Sequence, residues 1–172
     1  MGSVKNILLT GRPGIGKTTL IKKLIDVTSL SKGGFYTEEI REGGKRVGFS
    51  LMTLDGKKST LASIKIKSPY RVGKYSVDVD GFEAIGVEAI RKAMPTKKLI
   101  IIDEIGKMEL FSKKFRDVVI QALNTGRVIA TIKKGRSSFI DKIKSRRDVR
   151  LLEVNLENRD TLLLGPGKLT KI

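Results

Sequence analysis

The sequence predicts a three-layer α/β domain with a mainly parallel central sheet and an antiparallel β insertion over about residues 34–64. Three observations carry that prediction. A glycine-rich loop at 11–16 stands between an apolar strand and an amphipathic helix. Beyond it, strand-like and helix-like segments alternate, the pattern of a parallel sheet covered by helices. Only 34–64 breaks the alternation, where β-rich runs are separated by Gly43-Gly44 and Asp55-Gly56, both hairpin signals. A chain of 172 residues, 40% apolar, fits one domain over 1–172 with room for a sizeable core.

The elements follow in order. Residues 4–10 (VKNILLT) read as a buried strand. The next segment, KTTLIKKLID, places Leu20, Ile21, Leu24 and Ile25 on one helical stripe. GFYTEEI, KRVGFSLMTL and KSTLASI form a three-stranded antiparallel meander. Pro69 breaks the chain, and YRVGKYSVDVD holds one more short strand. Asp80, with Glu83 three residues on, is positioned to cap a helix over 81–94 that Pro95 ends; Phe82, Ile85, Ala89, Ile90 and Ala93 are its apolar positions. KKLIIIDE is a continuous apolar strand, as the middle of a parallel sheet requires. Ser112 caps a helix striped by Phe115, Val118, Val119, Ala122 and Leu123, which Asn124-Thr125-Gly126 closes. RVIATI is a further buried strand, Ser137 or Ser138 starts a helix to about Ser145, and VRLLEV is the last strand. ENRDTLLL is expected to form a short closing helix.

Composition narrows the chemistry. With no cysteine and no histidine, the chain has no disulfide, no thiol nucleophile, no cysteine-held metal and no imidazole base. Acid–base work falls to carboxylates, Lys or Tyr. No run of eighteen apolar residues suggests a membrane span, and the first residues lack a signal-peptide core, so a cytoplasmic, membrane-free protein is expected. Lys and Arg number 35 against 18 acids, a net charge of +17, which favours polyanionic partners. The densest basic stretches, 133–136 and 142–150, have no interleaved aromatics, and the chain holds only six Phe and three Tyr. A solvated surface of thermophile type is therefore read in preference to a nucleic-acid face. A monomer is expected, because no long apolar surface segment is left over.

The motif that carries function is Gly11-Arg12-Pro13-Gly14-Ile15-Gly16-Lys17-Thr18, followed by Thr19. It matches G-x-x-x-x-G-K-[ST] without a mismatch, between a strand and a helix. Glycines let successive backbone N–H groups face phosphate oxygens, and the helix N-terminus adds partial positive charge. Lys17 is placed to reach the β- and γ-phosphates, and the Thr18 hydroxyl to ligate Mg²⁺. Such a loop needs an acid at the end of a buried strand to hold Mg²⁺ through water. Asp103, after LIII, supplies it. Glu104 follows directly and is the candidate to orient and deprotonate an attacking water.

Five segments occur in order: GRPGIGKTT, GGFYTEEIREGGKRVGF, VGKYSVD, IIIDEIGKMEL and ENRD. Together they resemble the P-loop nucleoside-triphosphatase family described from thermophiles, the family that includes the human cancer-related nucleoside triphosphatase. The resemblance spans roughly residues 5–160. It implies the P-loop NTPase fold and Mg²⁺-dependent hydrolysis of nucleoside triphosphates (ATP, GTP, CTP, UTP) to diphosphate and phosphate, with loose base selectivity. It also implies that the acid after the strand-end Asp, here Glu104, activates water.

Additional positive charge on the γ-phosphate is sought among Arg41, Arg46, Lys74, Lys107 and Arg136, with Lys107 first because it lies closest in sequence to Glu104. Thr131, near its strand end, is a candidate γ-phosphate sensor. Asn158 and Arg159 either approach base and ribose or cap the last helix. Glu38, Glu39, Tyr36 and Tyr75 read as structural. Two other functions share these features. A nucleotide or small-molecule kinase has the same loop, but no clear lid insert is present and the Asp103-Glu104 pair favours water as acceptor. A nucleic-acid-associated ATPase rests on charge alone.

Overall fold

A computed structural model describes residues 5–162. One sheet of nine strands runs through the molecule in the order β5-β6-β4-β3-β2-β7-β8-β1-β9. In chain order these are β1 (Asn6–Thr10), β2 (Lys32–Glu42), β3 (Lys45–Thr53), β4 (Lys58–Ser63), β5 (Arg71–Val72), β6 (Tyr75–Val77), β7 (Leu99–Ile105), β8 (Val128–Ile132) and β9 (Val149–Glu153). β2, β7, β8, β1 and β9 pair in parallel. β2 through β6 pair antiparallel.

The antiparallel part is thus not a separate appendage. β2 belongs to both halves, pairing with β3 on one side and with β7 on the other, so the meander continues the core sheet. It also extends past residue 64. The segment after Pro69 holds a hairpin of two short strands, β5 and β6, where the sequence pattern suggests one; Gly73, at φ 58°, turns between them.

Among the described residues five α-helices cover the sheet: α1 (Lys17–Val27), α2 (Val79–Phe82), α3 (Glu88–Thr96), α4 (Lys113–Asn124) and α5 (Ser138–Lys144). Alternation along the strands builds two cores. Ile7, Leu9, Leu99, Ile101 and Ile129 face α1, joining Leu20, Ile21 and Leu24. Leu8, Ile100, Ile102 and Ala130 face the other way, against Phe115, Val118 and Ile140. Helices on both faces make the three layers. Phe35 of β2 is locked to Phe82 and Phe115 at ring-centroid distances of 5.6 and 6.3 Å. Such pairs each add about 0.5–1.5 kcal/mol beyond burial, and here they fix the bridging strand onto the helical layer.

Four local expectations are corrected. Asp78, not Asp80, caps the helix after β6, accepting a hydrogen bond from the Gly81 amide at 2.9 Å. That helix passes through a π-helical turn at Glu83–Val87 before α3. The extra residue per turn rotates the apolar face, so Gly86 and Val87 are buried while Ile85 and Ala89 are only half-buried. Pro95 lies in the last turn rather than after it, since α3 runs through Thr96. Finally, 157–162 form turns instead of a closing helix, with Asn158 and Asn155 side chains satisfying the backbone; the rest of that expected helix, 163–164, lies outside the described residues.

Candidate active site

β1 ends at Thr10 and the chain enters the loop. Gly11 passes so close to β9 that a Cβ there would meet the Val154 carbonyl oxygen at 2.7 Å. Gly16 takes φ 112° as the chain turns into α1, a conformation open to glycine and costly for other residues. No side chain caps α1, so its first amides are free to meet an anion. Ile15 is buried in the α1-side core and anchors the loop. Lys17 is nearly buried, and its Nζ donates to the carbonyls of Gly11 at 3.0 Å and Arg12 at 3.3 Å, which holds the ammonium against the loop.

The C-terminal ends of β7 and β8 come up beside it, as parallel sheets bring their functional ends together. Asp103 is fully buried. The hydroxyls of Thr18 and Thr131 donate to its Oδ1 at 3.2 and 2.5 Å, and the Thr37 amide donates to Oδ2 at 3.4 Å. Burial pushes the Asp103 carboxyl up; those donors and the Lys17 charge oppose the rise. Thr131 is therefore a partner of Asp103, buried behind it, and does not line the cleft as a γ-phosphate sensor.

Glu104 lies alongside. Its carboxylate has no hydrogen-bond partner among the described residues, and it lines a cleft of about 880 Å³ with Gly14, Gly16, Lys17, Thr18 and Thr19. Burial raises the Glu104 carboxyl and so does the Asp103 charge, while Lys17 and Lys133 pull it back. A partly desolvated carboxylate with a raised pKa, facing a phosphate loop, has the character of a general base.

Glu109 is not singled out by the sequence pattern, yet it belongs to the site. It is 5% exposed, lines the same cleft, and burial together with the Glu104 charge pushes its carboxyl well above the ordinary 4.5. Gly106 separates the two acids: a Cβ there would lie 3.0 Å from Glu109 Oε2 and 3.4 Å from the Glu104 carboxyl carbon. Lys133 was also missed as a site residue; it follows β8 and acts electrostatically on Glu104. The position after a buried strand's end was the available signal for Lys133. For Glu109 there was none beyond its place in IIIDEIGKMEL.

Lys107 reaches the cleft, as does Arg46, whose guanidinium is held by the Tyr75 hydroxyl at 2.9 Å and by Glu39 at 2.8 Å. Glu38 pairs with Lys22, which also stands over the Tyr36 ring. Other basic candidates are elsewhere. Arg41 is tied to Glu39 on the exposed hairpin, Lys74 stacks on Tyr75, and Arg136 pairs with Asp141 in solvent. Arg12 and Pro13 form the exposed shoulder of the loop. Arg159 leans over the loop, its guanidinium donating to the Ile15 carbonyl at 3.5 Å, whereas Asn158 serves the local turn.

Thr18 and Asp103 offer a hydroxyl and a carboxylate at hydrogen-bond distance from each other, hard oxygen donors of the kind Mg²⁺ takes. No cluster of three or more acids that could cage a metal by itself exists among the described residues. No helix among the described residues is long and apolar enough to cross a membrane.

Comparison with known proteins identifies the family. The sequence model of a family described as NTPase matches residues 6–164. The chain is 56% identical over 158 residues to the nucleoside-triphosphatase THEP1 of Thermotoga maritima, covering 91% of this chain and 90% of that one. It is 41% identical to the human cancer-related nucleoside-triphosphatase, covering 92% and 93% respectively. The crystal structure of THEP1 from Aquifex aeolicus superposes with a TM-score of 0.83 at 40% identity, covering 92% of this chain and 95% of that one.

Proposed function

The chain belongs to the NTPase family and is a nucleoside-triphosphatase, and from that premise we propose a Mg²⁺-dependent hydrolysis of ATP, GTP, CTP and UTP to diphosphate and phosphate. The observation that carries the mechanism is the convergence on Asp103 of Thr18 from the first turn of α1 and Thr131 from β8, with Glu104 beside it in the cleft and unpartnered among the described residues.

The open amides at the start of α1 and the Lys17 ammonium bind the phosphates. Thr18 and Asp103 would hold Mg²⁺, which neutralises phosphate charge when bound. Glu104 orients a water and takes its proton as the water oxygen attacks phosphorus and the diphosphate leaves. Lys107, which lines the cleft, and Lys133, whose charge acts on Glu104, supply positive charge to balance that on the transferring group. Loose base selection is part of the proposal and is carried by the sequence resemblance, not by the cleft.

Phosphate release from the four triphosphates, with and without Mg²⁺, tests this for wild type and Glu104→Gln, with nucleotide affinity measured alongside. The variant is expected to bind normally and to turn over about 10²–10⁴-fold more slowly, the usual worth of a general base. Full activity in Glu104→Gln would overturn the assignment. Phosphate appearing on an added nucleoside or nucleotide acceptor, with none released to water, would mean a kinase.

A further inference from the structure

A second cavity, of about 860 Å³, adjoins the catalytic cleft and shares Val72, Gly73 and Lys107 with it. Its chemistry differs. Five cationic side chains line it: Arg71, Lys107, Arg116, Lys133 and Lys142; no carboxylate lines it among the described residues. None of the five is in an ion pair among those residues, whereas Arg41, Arg46 and Lys65 on the antiparallel hairpins are all matched to glutamates. Arg116 is fixed in place by the Leu110 carbonyl at 2.5 Å.

Aromatic surface borders this charge. Phe111 lines the cavity and is 37% exposed; Tyr70, 42% exposed, stands 5.3 Å from it at an interplanar angle of 50°. The two are far apart in sequence and adjacent here. Exposed, partly stacked rings beside a row of unpaired cations form the combination that holds unpaired bases and their phosphates: π-faces for stacking, positive charge for the backbone.

We propose that this cavity binds single-stranded nucleic acid, with bases stacked on Phe111 and Tyr70 and phosphates on Arg71, Arg116 and Lys142. A duplex presents its phosphates but not its base faces, so it cannot use the rings. The volume is in the range of a ligand site and accommodates a base with its phosphate. The site goes beyond triphosphate hydrolysis and does not depend on which residue activates water.

Anisotropy of labelled thymidine and uridine strands of about ten nucleotides, with a duplex of equal length and a mononucleotide for comparison, tests the proposal on the full chain. Single strands are expected to bind more tightly than the duplex, and the sugar preferred tells RNA from DNA. Replacing both rings, Tyr70→Leu with Phe111→Leu, keeps apolar bulk and charge; it is expected to weaken binding about tenfold or more with the salt dependence unchanged. Arg71→Gln with Lys142→Gln is expected to lower the slope of log affinity against log salt by about 0.7 per lost phosphate contact. Lys23→Gln with Lys45→Gln, the same charge loss away from the cavity, is expected to change affinity less than twofold. Thermal melts and ATP turnover confirm that each variant is folded, and Phe111→Leu alone replaces the double variant if that one melts early. Equal binding of duplex and single strand with the leucine variants unaffected would leave only the general attraction of a +17 chain and overturn the site. So would a mononucleotide that binds as tightly as the ten-nucleotide strand.

Discussion

Thr131 illustrates how a residue's role is set by what its side chain touches. Its hydroxyl donates to the buried Asp103, 28 positions away, so Thr131→Val leaves that carboxylate short of a donor. The expected cost is about 1–3 kcal/mol of stability, seen by denaturant titration, with a higher Mg²⁺ requirement for nucleotide binding. A γ-phosphate sensor would instead lower turnover and leave stability unchanged. Glu109 gives the opposite lesson. Burial and Glu104 raise its folded pKa well above 4.5, so its contribution to stability is present below that value and is lost as pH rises through the folded pKa. Glu109→Gln does not suffer that loss. Its melting temperature, measured without nucleotide, is expected to match wild type below pH 4.5 and to exceed it increasingly towards neutrality. The gain is about 1.4 kcal/mol per unit by which the folded pKa is raised. A variant less stable at every pH would show that the carboxylate's backbone hydrogen bonds outweigh its desolvation.

Among the elements, α4 and the π-helical turn are coupled through one hydroxyl. Ser112 accepts from the Phe115 amide at 2.9 Å as the α4 cap and donates to Glu83 at 2.7 Å. Ser112→Ala therefore removes a cap and a tertiary hydrogen bond together. About 1–2 kcal/mol is expected from chemical unfolding, against less for Ser137→Ala, whose cap of the short α5 spans 3.3 Å and serves no second partner. Equal losses at the two serines would mean that the bond to Glu83 contributes nothing net. The cap at Ser112, and the start of α5 at Ser137 or Ser138, were legible in the sequence because capping is a pattern of three or four residues; the structure chooses Ser137. The π-turn was not, since periodicity assumes a constant turn and the burial of Gly86 against Phe82 and Leu51 decides otherwise. The second strand of the β5–β6 hairpin escaped the pattern for a related reason: elements of two and three residues are too short for alternation to register.

For the whole molecule, two electrostatic effects compete. Ion pairs such as Lys65–Glu42 and Lys134–Glu153 join largely exposed side chains and are worth little each. The repulsion within a +17 chain acts over the entire surface. Repulsion should win, so raising salt from about 0.05 to 0.5 M, which shortens the screening length to a few ångströms, is expected to raise the melting temperature by a few degrees. A fall would show that the ion pairs dominate. The sequence by itself determined the phosphate loop, the buried apolar strand that carries Asp103-Glu104, the parallel core and the hairpins at Gly43-Gly44 and Asp55-Gly56, because each is written in residues next to one another in the chain. Tertiary structure alone decided that β2 joins both halves of the sheet, that Thr18 meets an aspartate 85 positions away, that Glu109 stands by Glu104, and that Tyr70 and Phe111 border a basic cavity. Strand order sets those distances. It is fixed by which apolar faces bury together across the whole molecule, and no local pattern encodes it.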